Sequence, residues 1–408
     1  MGDSTEDASH SSVPLGPRVE SVLNILRIIG KSQLIEAGAL EQGSCWDDNM
    51  VPYTRTQLPK NKNGNVNYEA RFLEEQRKLY DRASFPRSII RDIIEHAQKN
   101  SRPPHIATLH ISDIFEIGKL LGEGAYGHVH SVTLPDNDNR LRTKGSNIFA
   151  LKRIRKPAPT EGGAVRATTP RAFQKELDIL SRCTGDNVHR HFIKFCASFT
   201  DEDYFGFIVT PVATSSLQQV LSNYINTNNI GDDKDVRAIL HSAFGCLLDA
   251  VCYLHEDLNI RHRDLKPKNI LIHKGRVVIC DMGSAYDYEP ADRKESTEDR
   301  RPPGTYRYKA PEVLRSARSD KPGKHNNKTD IFSLGCIFLE MHTVLNEETL
   351  QTMAKAITND DNTEFDERLD GKDWAYADEH EGVIKWLKGL DSQEESPTRL
   401  VKDMVRVQ

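Results

Sequence analysis

Along the first hundred residues, polar stretches alternate with segments whose apolar positions recur every three or four residues. Residues 1–17 are polar and poor in apolar side chains, the composition of a disordered terminus. From Arg18 to Gly30, Val19, Val22, Leu23, Leu26 and Ile29 recur at helical spacing, and Gly30 is a natural stop. A second helical region is predicted over roughly Tyr68 to Tyr80. A third begins near Pro86, sets Ile89, Ile90, Ile93, Ile94 and Ala97 on one face, and is broken by Pro103 and Pro104. These stripes predict a helical region over 18–104. It is either a small unit of its own or a set of helices packed on a neighbouring domain; an effector-binding module is the sharper reading. Nothing in it names a chemistry.

From about Ser112 the texture changes. FEIGKLL, HVHSVTL, NIFALKRI and YFGFIVT are short β-branched or aromatic runs between turn residues, and read as strands. PDNDNRLRTKGSN and PAPTEGGAVRATTP read as surface loops. After Ser215 the chain turns helical, in LQQVLSNYI, VRAILHSAFGCLLDAVCYLH and DIFSLGCIFLEM. A strand-rich part followed by a helix-rich part predicts an α+β region over 112–408. Its lobes are expected at about 112–210 and about 213–408, with a cleft between them as the default site. No internal repeat is visible.

Composition narrows the class. At 37% hydrophobic and 28% charged, the 408 residues have an ordinary globular make-up. A net charge of -5 argues against a protein that coats nucleic acid, which needs a basic surplus. No apolar run approaches the roughly 20 residues that span a bilayer, so no membrane partner is expected. The N-terminus, MGDSTEDASHSS, is too acidic and polar for a signal peptide, and Glu6 stands where a myristoylation signal needs Ser or Thr. Seven cysteines (Cys45, Cys183, Cys196, Cys246, Cys252, Cys280 and Cys336) form no CxxC pair. They read as reduced thiols of an intracellular protein, cytoplasmic and/or nuclear, rather than a disulfide frame or zinc site.

Three stretches carry chemistry. LGEGAYGHV sets Gly122, Gly124 and Gly127 in GxGxxG spacing, where a backbone free of side chains can approach phosphate oxygens. A dinucleotide fingerprint would open a helix; this one runs into another β-like stretch, as a hairpin lid does. In FALK, Lys152 lies on an alternating strand among Ala150, Leu151 and Ile154, and needs a carboxylate partner if it points inward. Glu176, in the helical run RAFQKELDILSRC, can supply it. Finally, RHRDLKPKNILIHKGRVVICDMGSA holds Asp264, Asn269 and Asp281 within one short span.

Taken in order, the glycine loop, FALK, HRDLKPKN, DMG and GTYRYKAPE resemble the eukaryotic protein-kinase signature set, over roughly residues 112–408. The resemblance implies a bilobal fold and a serine/threonine protein kinase using ATP and Mg2+ on a protein substrate. Asp264 is similar to the catalytic-loop aspartate that orients the acceptor hydroxyl. Asn269 and Asp281 match the magnesium positions, whose hard oxygens suit that ion. Lys152, held by Glu176, would hold the ATP phosphates, covered by Leu121, Gly122, Glu123, Gly124, Ala125, Tyr126 and Gly127. Lys266 would lie near the transferring phosphate and favours Ser/Thr over Tyr as acceptor; Thr305 would brace Asp264 and Lys266. Aligned on the hinge, Val209 is the gatekeeper, and the Thr210 carbonyl and Val212 N–H would hold adenine. Pro211, which has no N–H, falls between them. Val129, Ala150 and Leu271 would sandwich the ring.

The same resemblance places departures. Met282 stands for the usual phenylalanine, in a column with His262 and Leu180; an unbranched apolar side chain can fill that space. Phe332 replaces a tryptophan after Asp330, which matches the buried aspartate tying down the catalytic loop. SPTRLVKDMVRVQ resembles the penultimate helix, so the arginine that pairs with Glu312 is expected beyond Gln408, and a truncated record is favoured over a weakened C-lobe. Arg263, before Asp264, implies ordering of the activation segment by phosphorylation from an upstream kinase, at Ser296 or Thr297, with the acidic pair Glu298–Asp299 as a rival built-in substitute. Lys268 occupies a position where kinases preferring arginine upstream of the acceptor often carry glutamate, so no strong basic preference is expected. The alternative to an active enzyme is a pseudokinase scaffold.

Overall fold

The computed structural model describes Leu58 and residues 68–79, 105–107, 110–124, 127–133, 148–156, 170–183, 189–226, 234–288, 297–299, 304–319, 323–365, 374–390 and 397–405. The helices expected at Arg18–Gly30 and after Pro86, the polar residues 1–17 and the loop PDNDNRLRTKGSN lie outside these residues, as does PAPTEGGAVRATTP apart from Pro170. The chain divides into two units, Met1–Asp186 with Lys194–Val212, and Asn187–Ile193 with Ala213–Gln408.

The first unit is built on one sheet. Its strands are β1 (His105–Ala107), β2 (Glu116–Gly124), β3 (Gly127–Thr133), β4 (Ile148–Arg155), β5 (Lys194–Thr200) and β6 (Tyr204–Thr210), in the order β1-β5-β6-β4-β3-β2. The pairs from β5 to β2 are antiparallel; β1 joins the β5 edge in parallel. Helix α1 (Glu69–Leu79) buries Phe72 and Gln76, and helix α2 (Pro170–Arg182) buries Phe173, Leu177 and Leu180. The period of two along β4 sends Phe149 and Leu151 to one face. There they join Val132, Phe199 and Ile208, and the segment leading into β2 adds Ile106, Ile111, Ile114 and Phe115. Residues ahead of the expected boundary at 112 thus complete a core of the sheet.

The hairpin between β5 and β6 is fixed by Asp201. Its carboxylate, 3% exposed, accepts from the N–H groups of Tyr204 (2.7 Å), Asp203 (3.0 Å) and Ile111 (3.4 Å). Close strand approach makes Gly206 indispensable. A Cβ there would lie 2.1 Å from the Lys152 carbonyl oxygen and 2.2 Å from the Phe199 ring. Gly206→Ala is expected to cost about 1–3 kcal/mol through forced displacement of β4, read as a lower denaturation midpoint at unchanged slope; an unaltered midpoint would contradict this packing.

The second unit is mainly helical: α3 (Leu217–Asn226), α4 (Lys234–Glu256), α5 (Pro311–Arg318), α6 (Lys328–Leu345), α7 (Leu350–Thr358), α8 (His380–Leu390) and α9 (Pro397–Met404). Short strands serve its loops: β7 (Ser215–Ser216), β8 (Ile260–Arg261), β9 (Ile270–His273), β10 (Arg276–Ile279), β11 (Tyr286–Asp287), β12 (Thr297–Asp299) and β13 (Gly323–His325), ordered β10-β9-β7, β11-β8 and β12-β13. Helix α6 is apolar on most sides and almost wholly buried, so it is the core about which the others pack. Phe338 meets Phe244 of α4 at 4.8 Å, and a Cβ on Gly335 would lie 2.8 Å from Met404 of α9.

One helix meets the length and hydropathy asked of a membrane span. Asp235–Glu256 has the length and mean hydropathy, 1.4, of a membrane span. The core helix of a globular protein passes the same test, and Leu240, Ala243, Leu247, Ala250 and Leu254 of this helix are buried within the unit.

Candidate active site

In the first unit, packing delivers a lysine to a carboxylate. Lys152 on β4 is the cross-strand neighbour of Phe207 on β6. Phe173 of α2 stacks on both Phe207 (5.2 Å between centroids) and Phe205 (4.9 Å), which fixes the helix against the sheet. Glu176 follows Phe173 by three residues, on the same helical face. Its Oε1 therefore meets the Lys152 ammonium at 2.8 Å, with the two side chains 9% and 21% exposed. The expected partner is the observed one.

The glycine loop is a hairpin, as its β-like flank predicts. Gly124 pairs with Gly127 at its end, and Ala125 and Tyr126, between them, lie outside the described residues. A side chain at Gly127 is impossible, since its Cβ would lie 1.8 Å from the Arg153 carbonyl oxygen. Around Gly122 a Cβ would meet nothing within 4 Å, so its absence leaves the backbone open to approach. Leu121 and Glu123 are exposed. Val129 stands opposite Lys152, and buried Ala150 opposite Val209. Thr210 ends β6; the Thr210–Pro211 peptide is cis, and Val212 follows half-buried. Leu271, half-buried on β9, belongs to the second unit.

In the second unit, Asp264 is the hub. Its Oδ1 accepts from both the N–H and the hydroxyl of Thr305, each at 2.8 Å. Its Oδ2 lies 3.1 Å from the Lys266 ammonium and 3.3 Å from the Asn269 amide nitrogen. Lys266 also donates to the Thr305 hydroxyl at 2.5 Å. Asn269 is held further by donation to the Asp264 carbonyl at 2.9 Å, which turns its amide oxygen away from that loop. Its own carbonyl accepts from the Cys280 N–H at 3.0 Å. Asp281, next in the chain, is thus fixed beside Asn269 through the backbone. It adopts a left-handed conformation (φ 66) and exposes its carboxylate.

Among the described residues no cluster of three or more His, Cys, Asp or Glu side chains could hold a metal alone. Magnesium does not require one: it takes one or two protein oxygens and completes its shell with phosphates and water. Asn269 and Asp281 fit that demand. Met282 is 1% exposed and His262 0%, so methionine does fill a buried position. Leu180 is buried in the other unit.

Asp330, in the first turn of α6, ties down the loop that bears Asp264. Its Oδ1 accepts the Arg263 N–H and its Oδ2 the His262 N–H and His255 Nε2, all at 2.8 Å. Burial opposes its ionisation, but the His255 hydrogen bond and charge and the Arg263 N–H hold the carboxyl below its ordinary value. The latch keeps Arg263 in a left-handed conformation (φ 67). The His262 ring accepts from the Asp264 N–H at Nδ1 (3.3 Å) and donates from Nε2 to the Cys280 carbonyl (3.1 Å). It therefore joins the loop bearing Asp264 to the one bearing Asp281. Phe332 is 5% exposed, so the smaller ring is accommodated. Glu312 is half-buried and has no ion-pair partner among the described residues, and its partial exposure reduces the cost of that.

The sequence did not single out Arg261. It is 2% exposed, stacks at 4.6 Å over Tyr288, and donates to Asn327 Oδ1 (2.8 Å) and the His325 carbonyl (3.0 Å). No local signal marked it: Arg261 ends the two-residue strand β8 directly ahead of His262. His325 ends β13, which pairs with β12 (Thr297 opposite His325). Thr297 is therefore placed by its backbone, while its side chain and all of Ser296 lie outside the described residues.

The sequence matches the protein kinase domain family over residues 115–407. Curated relatives include an Aurora kinase of Yarrowia lipolytica, 30% identical over 56% of this chain and 52% of that protein. Serine/threonine-protein kinase CHK1 of Saccharomyces cerevisiae is 26% identical over 68% of the chain and 44% of its own length. Inactive serine/threonine-protein kinase PLK5 of Mus musculus is 31% identical over 57% and 33%. The chain thus spans between a third and about half of these relatives' lengths. It belongs to the protein kinase family, with a sheet-based first unit and a helical second one.

Proposed function

We propose that the protein is an active serine/threonine kinase, transferring the γ-phosphoryl group of ATP to a protein hydroxyl with Mg2+. The observation that supports this most is the joint placement of Asp264, Lys266, Asn269 and Thr305 in one hydrogen-bonded set in the second unit, together with an intact Lys152–Glu176 pair in the first. Phosphoryl transfer needs positioning and neutralisation of charge more than covalent chemistry. Lys152, oriented by Glu176, neutralises phosphate oxygens, and the bare backbone at Gly122 and Gly124 donates to them. The Thr210 carbonyl and Val212 N–H receive adenine. Magnesium, held by Asn269 and Asp281, supplies charge neutralisation on the phosphates. Asp264 orients the acceptor hydroxyl and takes its proton, while Lys266 screens the transferring group. Arg263, ahead of Asp264, supports regulation by an upstream kinase that phosphorylates Ser296 or Thr297 and so orders the segment. The six cysteines among the described residues form no disulfide, which supports a cytoplasmic or nuclear location.

A scaffold without phosphoryl transfer is the second reading. It draws on one relative described as inactive. Phosphotransfer from radiolabelled magnesium ATP to a generic acceptor separates the two, with Asp281→Asn as control. Because Asp281 is exposed, its replacement is expected to keep the fold and lower transfer by about 100-fold or more. Turnover equal in both proteins would show contamination; ATP binding without turnover in the unaltered chain would establish the scaffold.

A further inference from the structure

We propose that the protein selects acceptor segments carrying an anionic side chain, carboxylate or phosphate, within a few residues of the hydroxyl. This substrate class rests on the catalytic reading above. A depression in the second unit is lined by Lys266, Lys268, Thr305, Arg307, Glu340 and Phe365, among others. Two of the stretches that line it, around Lys266–Lys268 and Thr305–Arg307, begin at a residue bound to Asp264. A peptide whose hydroxyl reaches Asp264 therefore lays its neighbouring side chains along them.

The charges lining the depression are unequal. Three cationic side chains and one carboxylate line it among the described residues, and since Lys266 is paired with Asp264 at 3.1 Å, Lys268 and Arg307 carry the surplus. That carboxylate, Glu340, is 1% exposed, and its Oε1 already accepts from the hydroxyls of Tyr308 and Tyr376, each at 2.8 Å. Burial, with the Glu340 charge second, pushes both phenols well above their ordinary values, so they remain donors to it at any physiological pH. Glu340 is thereby committed to the interior. Arg307 is 2% exposed, and its guanidinium lies 4.4 Å from the Phe365 ring centroid and 4.8 Å from that of Trp374. It is a fixed charge rather than a mobile one, and low exposure strengthens its field. Lys268 stands exposed at the rim, on the short turn Pro267–Asn269, where it can follow a bound side chain. An arginine on the substrate would meet repulsion here, and an anion attraction.

The test uses a serine-acceptor peptide library with Asp, Glu, phosphoserine, Ala or Arg at each flanking position. Phosphorylation rates are read with magnesium ATP, and binding of the same labelled peptides is read by fluorescence anisotropy without it. At one or more positions, acidic peptides are expected to exceed Ala peptides by about three- to tenfold and Arg peptides to fall below them. Lys268→Glu should abolish or invert that order, read as the ratio of acidic- to Ala-peptide rates with the thermal midpoint as the check on folding; Lys268→Ala should give the intermediate profile. Phosphoserine well ahead of Asp would identify a substrate primed by prior phosphorylation, and parity would identify plain acidic segments. Arg peptides equal to or better than acidic ones, or a Lys268→Glu profile identical to the original, would overturn the proposal. If no peptide is phosphorylated, the catalytic reading fails, and the anisotropy order alone then upholds or overturns the anionic preference.

Discussion

Asp264→Asn is expected to lower turnover by about 10²–10⁴-fold, the range attributed to a positioned acid–base group. The geometry explains why so small a change should matter. One oxygen of Asp264 holds two donors from Thr305, and the other faces the Lys266 ammonium and the Asn269 amide. Asparagine can keep only one acceptor. With its oxygen toward Thr305, its NH2 confronts two further donors, so Lys266 loses its carboxylate partner and keeps only the Thr305 hydroxyl; reversed, it loses Thr305 instead. In either orientation no base remains for the acceptor hydroxyl. ATP affinity should change little, since Asp264 is not among the groups assigned to the nucleotide. Steady-state kcat and a nucleotide titration together check this. Unchanged kcat would remove Asp264 from the reaction, and a large loss of ATP affinity would reassign it to binding.

Asp330→Ala should have the largest effect on stability. Three donors converge on this 1% exposed carboxylate, and two are backbone N–H groups of the catalytic loop. Removing one side of a buried charged network costs about 3–5 kcal/mol, which for a domain of this size lowers Tm by roughly 10 °C. The pH dependence has a definite sign. Because the carboxyl is held below its ordinary value, its stabilisation is present above the unfolded-state value and is lost as pH falls through the folded one. The gap between the two proteins should therefore be wide at neutral pH and narrow in acid. Chemical denaturation at both conditions measures it; a gap that is constant with pH would mean that folding does not shift the Asp330 carboxyl, and one that widens in acid would mean that the fold keeps it neutral. Activity should fall too, since Arg263 and His262 are released.

Residues that act through contiguous motifs were legible in the chain. Asp264, Lys266 and Asn269 lie on one loop, and Lys152 sits on a strand whose alternation is visible. The partnership of Lys152 with Glu176 was foreseeable as a need, but its cause, Phe173 stacking on Phe205 and Phe207, depends on packing between distant segments. Strand β5 went unread because its last six residues are all buried, which leaves no alternation to detect. Helix α7 does carry the signal: Leu350, Met353, Ala354 and Ile357 follow helical spacing, but over only nine residues. Arg261 was not legible as a site, because its partners Asn327 and His325 lie more than sixty positions away and nothing local indicates that a strand arginine turns inward. Strand β1 is three residues long and pairs in parallel, so neither length nor a hairpin turn announces it.

That strand bears on the order in which the protein is made. His105–Ala107 lines up with Ser198–Thr200, and every other strand of the first sheet but β6 lies between them in the chain. A contact across so long a loop is entropically slow to close. During synthesis the segment leaves the ribosome well before its partner exists, so Ile106 spends that interval without its core. Strand β1 is accordingly a seam that cannot close until β5 has been made, and the nascent chain carries Ile106 uncovered until then.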